Sequence, residues 1–192
     1  MPPSPDDGAA PAVVAFHRLG EEELVRSRIM RVVRARFAGP DGAEFERTIV
    51  RHPGAVAVLP LHEDGTVTLV RQYRAALEVD LLELPAGTRD EPGEQEARTA
   101  ARELAEEAGL EAGRWSHLIT FHNAPGMSDE EISIFLAEDL HEVPHDRQSV
   151  EEHHMTVERM PLAEALAMVD DGRITDAKTI VGLGLVARRR PG

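Results

Sequence analysis

Three glutamates, Glu103, Glu106 and Glu107, stand at the i,i+3 and i,i+4 spacings that bring side chains onto one side of an α-helix. At roughly 6 Å separation and an effective dielectric of about 20, each carboxylate pair repels by about 3 kcal/mol, so a partly buried trio calls for a cation. Oxygen donors without sulfur select a hard divalent ion, Mg²⁺ or Mn²⁺. A glutamate-rich helix is more often only a solvated face, so the surroundings carry weight. Ala97, Ala101, Leu104 and Ala108 form an apolar stripe that would dock this helix, with the acids on the opposite face, and Gly109 is a stop signal after the last turn.

The elements around this helix follow from periodicity and turn residues. Residues 1–14 read as a loose tail, 15–52 as an N-terminal β unit and 53–190 as the main domain. Ile29 to Phe37 and Glu44 to Val50 flank Gly39-Pro40-Asp41-Gly42 as one hairpin, and Ala55 to Leu61 and Thr66 to Gln72 flank Glu63-Asp64-Gly65 as a second. Short strands are expected at Leu81 to Pro85, Trp115 to His122, Glu131 to Ala137 and Met155 to Met160, and helices at Pro161 to Asp170 and Asp176 to Arg188. This order suits an α+β sandwich rather than a doubly wound sheet.

Composition narrows the function. The chain of 192 residues is 42% hydrophobic, enough for one sizeable core. Thirty-five acidic against twenty-one basic residues give a net charge of −14, which argues against general binding to nucleic acid or an anionic membrane. An anionic substrate would need metal ions and locally placed arginines. Cysteine is absent, in keeping with a reducing cytoplasm and excluding a thiol nucleophile. No apolar run reaches the roughly 18 residues of a spanning helix, and the first ten residues do not read as a signal peptide. A soluble, cytoplasmic protein is expected.

The run from Gly87 through Glu94, Arg102-Glu103, Glu106-Glu107 and Gly109-Leu110 resembles the Nudix box, with six residues rather than the usual five between Gly87 and Glu94. The expansion falls in the loop before the helix, so the spacing within the helix is intact. Gln72-Tyr73-Arg74 and Leu82-Glu83-Leu84-Pro85-Ala86-Gly87, with Pro125 fifteen positions beyond Leu110, resemble the ADP-ribose and ADP-sugar pyrophosphatase branch.

That resemblance implies an α/β/α sandwich with a mixed sheet, and an N-terminal antiparallel sheet exchanged between the subunits of a homodimer. It implies Mg²⁺-dependent hydrolysis of ADP-ribose or a related ADP-sugar to AMP and ribose 5-phosphate. Glu103, Glu106 and Glu107 with the Ala86 carbonyl would hold the metal, Arg102 would orient the carboxylates, and Glu94 would cap or brace the helix start. Arg47, Arg74, Glu83, Thr88 and Glu130 would meet the substrate. The general base would come from the loop Arg147 to His154, as Glu151 or alternatively Glu152, and His153 stands where some relatives place a further metal-binding Glu. Adenine stacking would fall to Trp115, Tyr73 or one of five phenylalanines. Two other readings stay open: hydrolysis of another nucleoside diphosphate derivative such as GDP-mannose, and an ADP-ribose sensor without turnover.

Overall fold

The computed structural model describes residues 16–90, 93–144 and 154–189. The chain divides into two compact units, Met1–Arg51 and His52–Gly192. In the first, β1 (His17–Arg26), β2 (Arg31–Ala38) and β3 (Glu44–Arg51) form an antiparallel sheet in the order β1-β2-β3. Gly42, at φ 81°, makes the β2–β3 turn, and the cross-strand partners Phe37 and Phe45 stack with ring centroids 5.4 Å apart. Strand β1 was not expected from sequence. It is exposed almost throughout and carries Glu21, Glu22 and Glu23 in succession, so no apolar alternation marks it.

The second unit contains β4 (Ala55–Pro60), β5 (Thr66–Arg74), β6 (Val79–Glu83), β7 (Ala86–Thr88), α1 (Glu96–Ala108), β8 (Leu110–His122), β9 (Glu131–Glu142), β10 (Thr156–Pro161), α2 (Leu162–Asp170) and α3 (Ala177–Arg189). A mixed sheet runs β7-β4-β9-β8, with β4 and β9 parallel, and an antiparallel sheet runs β10-β5-β6. Strand β4 separates the layers by strict alternation. Ala57 and Leu59 enter a core with Leu69, Leu82, Leu84, Ile134 and Leu183, while Val56 and Val58 enter another with Ala100, Leu104, Ala108 and Phe135. Helix α1 thus covers one face of the mixed sheet, and the second sheet with α2 and α3 lies on the other. This is the expected α+β sandwich.

The second expected hairpin is not one. Residues 62–66 do turn back, with Gly65 at φ 81° and the His62 N–H donating to Thr66 O at 2.9 Å. Only an isolated bridge, Leu61 to Val67, joins the two strands before they part into different sheets. Both are buried on both faces over most of their length, so each is a central strand needing neighbours on two edges. Strand β4 finds them in β7 and β9, and β5 in β6 and β10.

Candidate active site

Helix α1 forms because Glu96–Ala108 is built, Thr99 apart, of alanine, glutamate, arginine and leucine, all strong helix formers. It ends where expected: Gly109 adopts a left-handed conformation at φ 64° and its N–H returns to Ala105 O. At the other end Gln95 is the N-cap residue and makes no side-chain cap bond. Glu94 accepts the Thr99 hydroxyl at 2.9 Å, so it braces the first turn rather than capping it.

The docked stripe differs from the expected one. Ala97 and Ala101 are exposed, and Ala100, Leu104 and Ala108 make the seam. This rotation places Glu103 and Glu107 beside the seam, 8% and 5% exposed, rather than opposite it. The small seam residues allow α1 to lie close to β4 and β7, and the neighbouring acids are carried inward with them.

At that interface Glu107 Oε2 accepts the Ala86 backbone N–H at 2.9 Å. Glu103 packs against Gly87 so closely that any Cβ there would overlap its carboxylate. Arg102 Nη1 lies 2.8 Å from Glu103 Oε1 and 2.9 Å from Glu106 Oε2, bridging the two acids. Among the described residues no three acidic or histidine side chains converge on one point, because Arg102 spans two of the three acids. The arginine occupies the charge-neutralising role that a cation would otherwise fill. Burial pushes Glu107 up to about 8; the Ala86 N–H opposes the shift and the neighbouring Glu103 charge adds to it. Hard oxygen donors, a buried carboxylate short of positive charge and the cradle at Gly87 fit a divalent metal.

A cleft of about 360 Å³ adjoins these groups, lined by Ala86, Gly87 and Thr88 of β7 together with Arg74, Glu83, Glu130, Asp176 and Lys178. Arg74 grips Glu83 through two bonds, Nε to Oε1 at 2.7 Å and Nη2 to Oε2 at 2.5 Å. Glu83 has no exposed surface. Burial pushes its carboxyl up, but Arg74 and Lys178 outweigh that and hold it below the usual carboxylate range. Glu130 lies 3.5 Å from His52 Nδ1, which accepts the Gly54 N–H at 3.1 Å.

Of the residues expected to meet substrate, Arg74, Glu83, Thr88 and Glu130 share this cleft. Arg47 belongs to the other unit, where its guanidinium lies 4.8 Å from the Phe45 ring centroid and donates to Glu46 O at 2.7 Å. Trp115 is half-buried beside the α1 core and donates to Ala112 O at 3.1 Å, while Tyr73 is exposed on β5. Glu151, Glu152 and His153 lie outside the described residues, and His154 is exposed. Asp176, Lys178 and Thr179 were missed. The sign was local: an Asp immediately before a helix with Lys and Thr in its first turn. Nothing local connects that turn to Glu83, 95 positions away.

A family model described as NUDIX domain matches residues 50–181. The ADP-ribose pyrophosphatase of Mycobacterium tuberculosis is 39% identical over 168 residues, spanning 88% of this chain and 81% of that protein. The ADP-ribose pyrophosphatase of Bacillus subtilis is 35% identical over 161 residues, spanning 84% and 86%. A crystal structure described as an ADP compounds hydrolase superposes with a TM-score of 0.78 at 26% identity, covering 91% of this chain and 94% of that one.

Proposed function

The chain belongs to the Nudix family, and from that premise we propose that it is a pyrophosphohydrolase that splits ADP-ribose, or a closely related ADP-sugar, into AMP and the sugar phosphate. The observation that carries this reading is one cleft holding both an arginine locked by a buried carboxylate and the strand that cradles the acids of α1. On this reading phosphate charge and divalent metal would meet in the same place. The relatives named above support ADP-ribose as the substrate.

Nudix hydrolases generally use a divalent metal, and the all-oxygen donor set favours Mg²⁺, with Mn²⁺ as a substitute. Glu103, Glu106, Glu107 and the Ala86 carbonyl would hold it, Arg102 yielding at least one carboxylate. When bound, the metal neutralises phosphate oxygens and lowers the barrier to attack by water. Arg74 pairs with phosphate oxygens through the guanidinium edge that Glu83 leaves open, and Thr88 and Glu130 meet the rest of the substrate. Arg47 supplies a further phosphate or ribose contact. Glu151 accepts the proton as the water oxygen bonds to phosphorus and the bridging P–O bond breaks, with Glu152 as the alternative base. The protein works as a cytoplasmic homodimer whose N-terminal sheet, residues 15–52, is exchanged between subunits.

Release of AMP from ADP-ribose, followed with and without Mg²⁺ beside GDP-mannose, NADH and diadenosine polyphosphates, tests the reading. A preference for ADP-ribose is expected; preference for another substrate would reassign the specificity, and no turnover would favour an ADP-ribose sensor. Glu151→Gln is expected to lower kcat at least about a hundredfold with little change in KM. The same loss from Glu152→Gln instead would move the base by one residue.

A further inference from the structure

The acid that grips Arg74 is itself held by a second cation from the far end of the chain. Lys178 Nζ donates to Glu83 Oε2 and, at 3.0 Å, to Asp176 Oδ1. Asp176 is fixed in turn, its Oδ2 accepting the Thr179 N–H at 3.0 Å and the Thr179 hydroxyl at 2.5 Å. Thr179 Oγ1 also accepts the Leu84 N–H at 2.8 Å, tying the start of α3 to the residue after Glu83. Arg74, Glu83, Lys178 and Asp176 form a chain of two positive and two negative groups whose charges balance.

We propose that Lys178 is a positioning residue of the pyrophosphate site, acting on Arg74 through Glu83 rather than on the substrate. Although Lys178 borders the cleft, its side chain is only 8% exposed and its ammonium is committed to two carboxylates. Arg74, 41% exposed, presents the open surface: Glu83 uses Nε and Nη2, and Nη1 has no hydrogen-bond partner among the described residues. A carboxylate with no exposure, attracted by one arginine alone, would follow that arginine. Held from the other side by Lys178, it becomes a fixed anchor, and the guanidinium plane is set with it. The inference rests on the proposed function only in treating Arg74 as the phosphate-binding group.

The test is a double-mutant cycle of Lys178→Met and Glu83→Gln read in steady-state hydrolysis of ADP-ribose with Mg²⁺. Each single variant is expected to raise KM about tenfold or more with a smaller change in kcat, because a binding arginine is misaligned. The double variant should be no worse than Glu83→Gln alone, since the proposed action of Lys178 on Arg74 runs through Glu83. Further loss in the double variant, or wild-type kinetics in Lys178→Met, would overturn the proposal. If Lys178→Met fails to fold because Glu83 is left buried with less compensation, the double variant removes that conflict, and its comparison with Glu83→Gln decides alone. Wild-type turnover is the control on the function itself. Should the wild type prefer another nucleoside diphosphate derivative, the cycle is run on that substrate. Should it hydrolyse none, the same cycle is read in the Kd for inorganic pyrophosphate.

Discussion

Glu107 concentrates the electrostatic conflict of the site, because it is buried beside Glu103 and, among the described residues, the Ala86 N–H at 2.9 Å is its one hydrogen bond. Its carboxyl moves from the ordinary value of 4.5 up to about 8 on folding, so between those values the native protein holds more protons than the unfolded chain. Stability of the metal-free protein should therefore fall as pH rises through that window. A divalent cation needs the ionised carboxylate, so its binding expels a proton and restores most stability where most was lost. The rise in Tm caused by Mg²⁺ is expected to grow between about pH 6 and about pH 8.5. Glu107→Gln should abolish that trend and lower Mg²⁺-dependent turnover by roughly a thousandfold while the protein stays folded. Near-normal turnover would remove Glu107 from the metal set.

Helix α3 is the element that joins fold stability to the site, since it packs on β4 and β9 while its first turn holds Glu83 and Leu84. Two glycines within it separate these contributions. A Cβ at Gly182 would sit 2.8 Å from Leu84 Cδ1 and 3.5 Å from Leu59 Cδ1, inside the closed core. A Cβ at Gly184 would meet nothing within 4 Å. The same substitution should act in opposite directions. Gly182→Ala is expected to cost about 1–3 kcal/mol through overpacking, and Gly184→Ala to stabilise by about 0.5–1 kcal/mol through helix propensity. Denaturant unfolding of both reads the difference. Equal effects would mean that α3 does not approach Leu59 of β4 and Leu84 this closely.

At the scale of the whole molecule, the net charge of −14 leaves substrate attraction to the few cations of the cleft and to bound metal. Among the described residues no helix is long and apolar enough to cross a membrane. The N-terminal unit exposes two large apolar side chains, Phe16 just before β1 at 67% and Val25 of β1 at 60%. The proposed dimer would cover such surface. Sedimentation at micromolar concentration is expected to give twice the chain mass of 21.1 kDa, and Val25→Glu to shift the distribution toward the monomer. A monomeric wild type would remove the exchanged sheet from the mechanism.

What the sequence determined by itself is local. The spacing of Glu103, Glu106 and Glu107, the stop at Gly109 and the apolar run from Ala55 depend on one helical turn or one strand, and all were legible before any contact was known. Partnership was not. That β4 and β5 enter different sheets, that Arg102 bridges two acids read as one claw, and that the docked seam of α1 runs through Ala100 all follow from tertiary packing. So does the meeting of Glu83 with Lys178 across 95 positions. Short-range geometry is set by the backbone bond angles and hydrogen-bond repeat common to every chain, whereas long-range pairing minimises buried charge and void over the whole core at once, and only the folded structure shows which solution was reached.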